Sequence, residues 1–454
     1  MEMYDVIVVG AGTAGCMAAK VLASEGFNVC LIDRKDRRQI GDKVCGDAVG
    51  KHHFDNLGLP YPSGDEKEGD ITGVKIYSPD KRTIFKISGY GLTGFMINRY
   101  LFGQRLLRYA VDSGAELKDG IHVSKPIIKD GYVVGISARR LKTGEKIELF
   151  GRVTVDASGV SAVIRRKLPS TLGVDVNVEP EDLVVCYREI RKLRRNIEEP
   201  EFCEIYLSQR IAPGGYYWIF PKTEGKVNVG LGISQTWREV NPKIQLYKNV
   251  ISEPLFESSE IIDSGGGIVP TRRPLDSLVG NGVVFIGDSG CQVNPIHGGG
   301  IGPSMMGGKI SGEVISEALE KGDVSISSLW PINLRFMENY GLKQAGLDVF
   351  RIFLQGLTDE ELNYGMKYQL ITEEDVLKAS IGEEIRLNIS EVARRVLAGL
   401  KKIGFLNSLR RMAGMSREVR ELYRHYPSSP DEFSEWRRRI VEIFSSAKSS
   451  FWKR

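Results

Sequence analysis

Residues 5–33 read DVIVVGAGTAGCMAAKVLASEGFNVCLID, and this stretch contains the clearest structural signal in the chain. The apolar run at its start, residues 5–10, is typical of a buried parallel strand. Residues 14–25 carry small and apolar side chains at helical spacing, and residues 28–33 form a second apolar run. Because strand, turn, helix and strand follow one another at this spacing, the stretch predicts a Rossmann-type βαβ unit.

The turn after the first strand has the pattern GxGxxG, formed by Gly10, Gly12 and Gly15, with Ala14 before the last glycine. The first glycine permits the tight turn, the second lets the backbone approach a pyrophosphate, and the third lets helix pack on strand. The helix N-terminus offers N–H groups to phosphates. Asp33 ends the second strand, where a carboxylate binds ribose hydroxyls. The turn predicts a dinucleotide site without distinguishing FAD from NAD.

Two later segments favour FAD, because a simple NAD dehydrogenase does not need a second, distant element of this kind. Residues 156–161 (DASGVS) end one predicted strand, and residues 285–290 (FIGDSG) end another. The carboxylate of Asp288 suits a ribityl hydroxyl. The glycine-rich helix start at Gly300 and Ile301 suits the flavin pyrimidine, because a helix N-terminus stabilises negative charge there. Non-covalently bound FAD is therefore the predicted cofactor.

The glycine turn and these two segments, in this order, resemble the three signatures of the para-hydroxybenzoate hydroxylase-type flavoproteins. By that resemblance Arg99, at the head of a predicted helix, is expected to contact the flavin. The backbone near Val123 is expected, on the same basis, to lie beside the adenine. No CxxC pair occurs among the six cysteines, so no metal site is expected.

The order of strands and helices predicts an α/β protein with three parts, which suits a chain of 454 residues. The first is a Rossmann-type FAD-binding domain, and the second is a substrate domain built on a mixed or antiparallel sheet. The third is a helical C-terminal region. The predicted boundaries are 1–60, 97–165 and 275–322 for the first part, 61–96 and 166–274 for the second, and 323–454 for the third.

An aromatic run, PGGYYWIFP, places Tyr216, Trp218 and Phe220 at alternate positions, so on a strand they share one face. Gly230 and Gly232 follow on the adjacent predicted strand and are expected to leave space for substrate against this aromatic face. The pattern resembles the YxWxFP…GxG motif of the geranylgeranyl reductases, which saturate isoprenoid chains. Flavin halogenases carry WxWxIP instead, which the chain lacks. A plain sheet core built from aromatic residues is the alternative interpretation.

The segment KVCGDA contains Cys45, Gly46 and Ala48 and resembles a loop close to the flavin in the same reductases. All three residues are therefore expected to contact the cofactor. Cys45 is a candidate proton donor or redox sensor, and the alternative is a small residue that only packs against the cofactor. A thiol with a pKa near 8.5 is mostly protonated at neutral pH, which suits an acid.

The resemblance implies reduction of isolated double bonds in geranylgeranyl chains of archaeal-type ether lipids. Because no carbonyl polarises such a bond, a proton must arrive together with the flavin hydride. The candidate proton donors are Cys45, Tyr216, Tyr217 and His297. Alternatively, His297 only shapes the loop of residues 295–300, which we call the flavin loop. The competing enzyme class is an FAD-dependent monooxygenase of an aromatic or polyketide-like compound. A quinone-reducing dehydrogenase is disfavoured because no cysteine follows Cys291 to bind a cluster, and a lipid-binding protein without activity is a further alternative.

The formal net charge of +4 does not suggest a nucleic-acid partner. The N-terminus lacks a signal-peptide pattern, and no long apolar run predicts a membrane span, so a cytoplasmic protein is expected. The expected partners are an isoprenoid lipid, an electron-donor protein and the membrane surface. NAD(P)H and ferredoxin both stay open as reductants, as does the oligomeric state. A basic amphipathic stretch around residues 385–411 could contact anionic lipids, or it could only pack on the body of the protein.

Overall fold

The computed structural model describes residues 3–89, 91–381 and 403–452. It confirms the predicted α/β fold class, with a mostly parallel sheet, a mixed sheet that is mainly antiparallel, and a helical C-terminal region. The apolar stretch at 385–396, predicted to form one face of a basic helix, lies outside the described residues. In the part of the chain that is described, no helix is long and apolar enough to cross a membrane.

The strands form three sheets. In chain order they are β1 (Met3–Val9), β2 (Val29–Ile32), β3 (Ala48–Gly50), β4 (Lys67–Ile71), β5 (Gly73–Tyr77), β6 (Ile84–Ser88), β7 (Gly94–Ile97), β8 (Glu116–Lys118), β9 (Ile121–Lys129), β10 (Tyr132–Arg140), β11 (Lys146–Asp156), β12 (Leu183–Lys192), β13 (Phe202–Leu207), β14 (Tyr216–Pro221), β15 (Lys226–Ser234), β16 (Glu260–Pro270), β17 (Val279–Gly280) and β18 (Val283–Phe285). Among the described residues, the first sheet has the order β17-β18-β11-β1-β2-β8, with β10 and then β9 added on β11. The second has the order β16-β12-β15-β14-β13-β5-β6, and the third β3-β7-β4.

Most helices flank the first sheet or make up the C-terminal part. They are α1 (Thr13–Ser24), α2 (Lys51–Leu57), α3 (Arg99–Asp112), α4 (Pro242–Leu246), α5 (Ile301–Glu320), α6 (Ile326–Leu329), α7 (Pro331–Phe336), α8 (Leu342–Gln355), α9 (Asp359–Lys367), α10 (Glu373–Ile381), α11 (Ile403–Arg424) and α12 (Phe433–Phe451). The C-terminal helices pack on the same hydrophobic core as the first sheet, and α4 packs on the second sheet.

The first sheet brings the predicted cofactor segments to one edge. β1 lies between β2 and β11 and runs parallel to both, with Val9 in register with Ile32 and Asp156. Strands β1, β2 and β11 therefore end together, and the glycine turn, Asp33 and the 157–161 segment follow at that edge. This is the edge at which parallel sheets bind ligands.

Helices α1 and α5 approach each other closely because glycine replaces a side chain at their contact. A Cβ atom on Gly308 would lie 2.4 Å from the carbonyl oxygen of Ala14 and 2.9 Å from the Cβ of Met17. One turn later, a Cβ on Gly312 would lie 2.7 Å from the Cβ of Val21. The N-terminal turns of these two helices, which both belong to the predicted cofactor site, are thus fixed relative to one another.

The second sheet separates the aromatic run into two faces. Tyr216, Trp218 and Phe220 cluster with Ile71 and Met96 on one face. Tyr217 and Ile219 pack in a different core on the other face, where the Tyr217 ring stacks on Tyr206 with centroids 4.5 Å apart. The two faces follow from the alternation of side chains along a strand.

We expect Gly308→Ala to destabilise the protein by about 1–3 kcal/mol, because the added methyl group forces α1 and α5 apart. Urea unfolding measures the effect, and FAD content should fall with it. Gly414→Ala in α11 is the matched control, since a Cβ there meets no atom within 4 Å; it should stabilise by up to about 1 kcal/mol. Equal effects of the two substitutions would contradict the packing argument.

Candidate active site

A single large cavity, of about 1290 Å³, extends from the glycine turn after β1 across the second sheet to α8 and α9. Most of the predicted site residues border it. These residues are Gly10, Gly12, Ala14, Asp33, Cys45, Gly46, Ala48, Arg99, Val123, Tyr216, Trp218, Phe220, Gly232, Asp288, His297, Gly300 and Ile301. Of the predicted residues, Gly15, Tyr217 and Gly230 do not border it.

The glycine turn is built by backbone contacts that exclude side chains. Gly10 has a φ of +107°, and a Cβ there would lie 2.4 Å from the carbonyl oxygen of Ala157. A Cβ on Gly15 would lie 1.9 Å from the carbonyl oxygen of Gly10, so this third glycine allows the helix to pack. A Cβ on Gly12 would meet no atom within 4 Å. The turn therefore leaves open space at the N-terminus of α1, where a phosphate fits.

Asp33 lies at the dinucleotide end of the cavity. Its two carboxylate oxygens accept backbone N–H groups from Ala11 and Lys35, each at 2.8 Å. Its own carbonyl oxygen accepts the N–H of Ile121 at 2.9 Å, which places the start of β9, and with it Val123, at the same end. Each carboxylate oxygen has a second lone pair for a ribose hydroxyl. The adenine contact of Val123 stays a prediction.

Arg99 is the strongest sign of an anionic ligand. Its side chain is buried, and Nη2 donates to Thr13 Oγ1 at 2.6 Å. Its Nε and Nη1 are buried without a hydrogen-bond partner. A buried guanidinium with unused donors is costly unless a ligand accepts from them. Its position beside the glycine turn fits a cofactor that carries phosphates and a flavin.

The other half of the predicted flavin site comes from the start of α5. Asp288 accepts a charge-assisted hydrogen bond from Lys43 Nζ at 3.0 Å. A Cβ on Gly300 would lie 3.5 Å from Asp288 Oδ1, so the carboxylate lies against the residue that precedes α5. Asp156, at the start of the 156–161 segment, stabilises the local backbone. Its carboxylate is fully buried and accepts four hydrogen bonds, two from Ser158 and one each from Ile164 and Arg165.

All three residues of the aromatic face border the cavity. The space that Gly230 and Gly232 were expected to leave beside this face is present only in part. Gly230 pairs with Trp218 across β14 and β15, and a Cβ on Gly230 would lie 2.5 Å from the Trp218 ring. The indole therefore fills the space that was expected for substrate at Gly230. Gly232, opposite Tyr216, does border the cavity. The expectation for Gly230 was wrong because the sequence does not show toward which strand a ring leans.

Tyr217 is removed as a candidate proton donor, because its side chain lies on the far face of the second sheet. Tyr216 faces the cavity, and its hydroxyl donates to the carbonyl oxygen of His297 at 2.7 Å. Burial raises the Tyr216 pKa well above its usual range, so the phenol is protonated. The contact ties the aromatic strand to the flavin loop.

A buried polar network, which we call the Asp47 network, attaches the Cys45 loop to the aromatic strand. Asn228, fully buried, donates to the carbonyl oxygen of Cys45 at 2.7 Å and to Asp47 Oδ2 at 2.9 Å. Its own amide oxygen accepts the Trp218 Nε1 proton at 2.9 Å. Lys222 Nζ donates to Asp47 Oδ2 at 2.8 Å and to Glu68 Oε2 at 2.5 Å. The network therefore fixes where Cys45 stands relative to the aromatic face.

Within the loop, the backbone N–H of Asp47 donates to Cys45 Sγ at 3.3 Å. Burial, and then the charge of Asp47, raise the pKa of Cys45 above its usual value, so the group is a thiol at neutral pH. His297 is exposed toward the cavity, but the surrounding protein desolvates its imidazole, and this effect, followed by the charge of Lys343, lowers its pKa to about 4. The His297 imidazole is therefore neutral at pH 7, and its Nδ1 accepts the N–H of Gly299 at 3.1 Å. Both groups border the cavity, Cys45 as a thiol and His297 as a neutral imidazole.

The residues that sequence reasoning missed are the partners of the predicted ones. They are Thr13 beside Arg99, Lys43 beside Asp288, and Asp47, Lys222 and Asn228 in the network. Lys222 and Asn228 lie between PGGYYWIFP and the two glycines, inside the motif itself. The available signal was a lysine directly after one apolar strand and an asparagine within the next, because buried polar groups need partners.

Lys222→Met should destabilise the protein by about 3–5 kcal/mol, because it leaves Asp47 buried without its cation. Burial lowers the pKa of Lys222, but Asp47 and Glu68 raise it by more, so the net pKa is raised. Lys222 therefore contributes fully to the free energy of unfolding at any pH below the pKa that it has in the unfolded chain. This contribution is lost only as the pH rises through the higher pKa that Lys222 has in the folded protein. Urea unfolding between pH 6 and 9 should therefore give a constant difference from wild type.

Lys226→Met is the matched control. Lys226 lies 3.7 Å from Glu68 and 3.1 Å from Glu224, and its side chain is more exposed than that of Lys222. The expected loss is below about 1 kcal/mol. Similar losses for both lysines would contradict the importance of the Asp47 network.

Comparison with known proteins identifies the family. The geranylgeranyl reductase catalytic domain matches residues 182–269, and the glucose inhibited division protein A family matches residues 5–57. A geranylgeranyl bacteriochlorophyll reductase-like structure from Thermoplasma acidophilum has a TM-score of 0.75 at 23% identity, over 91% of this chain and all of that one. A flavin-dependent brominase has a TM-score of 0.65 at 20% identity, over 88% of this chain and all of that one. At these identities the two structures show the fold alone.

Sequence identity is more specific than the fold. The digeranylgeranylglycerophospholipid reductase of Sulfolobus acidocaldarius is 42% identical over 450 residues, which is 98% of both chains. The match spans the glycine turn, the Cys45 loop, the aromatic strand and the C-terminal helices. The protein therefore belongs to the digeranylgeranylglycerophospholipid reductase family, and FAD is its cofactor.

Proposed function

We propose that the protein is an FAD-dependent reductase that saturates isolated double bonds in the geranylgeranyl chains of archaeal-type ether-lipid precursors. The observation that carries this proposal is the continuous cavity, in which the cofactor turn, the aromatic face and an apolar region all border one space. The family name of the relatives supports the same substrate class. A cavity of about 1290 Å³ is large enough for more than the cofactor alone.

The cofactor would be held by the chain's own donors and turns. Arg99 and the N-terminus of α1 would bind its phosphates or ring edge, Asp33 its ribose, and Asp288 with the start of α5 its ribityl and pyrimidine parts. Reduced FAD, when bound, supplies the hydride for the double bond. The cofactor-facing positions of Gly46 and Ala48 remain proposals of the same kind.

The aromatic face has two tasks in this reaction. As a proton reaches the less substituted carbon, positive charge develops on the tertiary carbon of the double bond. The ring faces of Tyr216, Trp218 and Phe220 stabilise such a charge and exclude water from it. Their fixed geometry also positions the flexible chain, and positioning provides a large part of the rate.

Cys45 is the proposed proton donor. It borders the cavity, its thiol is protonated at neutral pH, and the Asp47 network fixes its position. The Tyr216 hydroxyl can donate a proton to the substrate only by giving up its hydrogen bond to the carbonyl oxygen of His297. His297, neutral and bound to Gly299, is proposed to shape the flavin loop.

The reaction itself is tested without oxygen. Enzyme reduced with dithionite should be reoxidised by a geranylgeranyl lipid, and mass spectrometry should find products heavier by multiples of two hydrogens. A reductase needs no oxygen because the double bond accepts the electrons. Product formation only after oxygen is admitted, with an added oxygen atom, would instead identify a monooxygenase.

Cys45→Ala should slow anaerobic single-turnover reoxidation by about a hundredfold, which is the size of a general-acid contribution. FAD content and stability should stay near the wild-type values. Cys30→Ala is the control, because Cys30 is buried in β2 and does not border the cavity. An unchanged rate in Cys45→Ala would remove Cys45 as the donor and leave the reductase assignment intact.

A further inference from the structure

One face of α8 borders the cavity along most of the helix. The lining residues are Lys343 and Gln344 at its start, then Leu347 and Phe350, and then Arg351, Leu354 and Gln355. The spacing is that of a single helical face. Arg351 donates to Asp348 Oδ1 at 2.8 Å and Gln355 to the carbonyl oxygen of Gly214 at 2.9 Å, so these two polar side chains are already paired within the protein. We call the start of α8, at Lys343 and Gln344, the polar end of the cavity.

The side chain of Gln344 has no hydrogen-bond partner among the described residues. Its side chain is 1% exposed, and neither its Oε1 nor its Nε2 has a partner. A buried amide without partners is costly. A leucine or methionine would fill the position at lower cost, so the amide indicates a ligand that is polar at this point of the cavity.

Thr271 repeats the observation on a second segment of the cavity wall. Its side chain is buried, borders the cavity, and its Oγ1 has no partner. The backbone N–H of Arg273 donates to Asp348 Oδ2 at 3.0 Å, and Asp348 lies one helical turn after Gln344. The segment that carries Thr271 is thus held against α8 one turn beyond Gln344.

Cationic and neutral donors complete the polar end. Burial, and then the charge of Arg420, lower the pKa of Lys343 to about 8, so the amine is mostly protonated at neutral pH. Tyr340, one turn before Gln344, has its hydroxyl 3.1 Å from His53 Nδ1, and both residues border the cavity. A Cβ on Gly302 would lie 2.2 Å from the His53 ring, so the polar end lies beside the start of α5.

Toward α9 and α10 the cavity lining is mainly apolar, although Glu361 also borders it. Phe85 and Met366 form a buried cluster there, with Val376 packed against it, and all three border the cavity. Leu354 and Phe405 border it as well. An elongated ligand with one polar end and one apolar end would have a single favourable orientation in this space.

We propose that the start of α8 binds the phosphate-bearing head group of the lipid, with Gln344, Thr271 and Lys343 as its polar contacts. The isoprenoid chain then runs along α8 toward Met366 and Phe85 and passes the aromatic face on the way. A phosphate accepts hydrogen bonds from an amide, a hydroxyl and an ammonium group at once. This inference rests on the proposed function and adds the orientation of the substrate.

The test compares two lipids with the same chain, geranylgeranyl diphosphate and geranylgeraniol. Calorimetry measures their binding to the holoenzyme, and anaerobic reoxidation of reduced enzyme measures turnover. Gln344→Met and Thr271→Val should each weaken diphosphate binding by about tenfold, the size of one lost hydrogen bond. Binding of the alcohol should change by less than about twofold on the same basis.

Stability gives a second readout. Gln344→Met should keep its FAD and melt at or above the wild-type temperature, because the amide it replaces has no partner. Gln39→Met, on the exposed surface outside the cavity, should leave both lipids unaffected. Inorganic pyrophosphate alone should bind more weakly than geranylgeranyl diphosphate. Equal affinity for the two would mean a site for free phosphate and would overturn the head-group assignment.

Equal losses for diphosphate and alcohol, or a lowered melting temperature of Gln344→Met, would show a structural role and overturn the inference. No loss for either lipid would overturn it as well. The proposed function fails separately, if wild-type enzyme binds the lipids but reduces neither of them. The binding measurements therefore test the head-group site, and the turnover measurements test the proposed reaction.

Discussion

The close backbone contact between α1 and α5 is the constraint on which the cofactor site depends. Gly308 allows the carbonyl of Ala14 to lie where a side chain would otherwise stand. The glycine turn and the flavin loop are nearly 300 residues apart in the chain, yet this contact and the parallel strands bring them to one edge of one sheet. A dinucleotide that reaches from phosphate turn to flavin loop needs both halves at a fixed distance.

The Asp47 network extends this order to the substrate side. It joins the Cys45 loop, which borders the cofactor region, to the strand that carries the aromatic face. Buried charges are costly, and apolar residues of similar size often give a more stable protein. The charges of Asp47 and Lys222 fix the Cys45 loop against the strand of the aromatic face, so that the thiol and the rings border one cavity.

The fold itself does not define the reaction, since a flavin-dependent brominase has a similar fold. The cavity lining adds to this fold the aromatic face, the protonated thiol and the polar end at the start of α8. An unpartnered buried glutamine lowers stability, and proteins accept such a loss mostly where a ligand compensates for it. The cavity lining and the fold together favour a substrate with an apolar chain.

The sequence by itself determined the local pattern: the βαβ unit, the glycine turn and the alternation that separates Tyr216 from Tyr217. These features depend on neighbours in the chain, so short-range periodicity is enough to predict them. Only the tertiary structure decided which face meets the cavity, that Trp218 fills the space at Gly230, and that Gln344 lies in the cavity wall without a partner. Those outcomes depend on side chains from distant strands and helices, and no local pattern records which distant side chain will arrive.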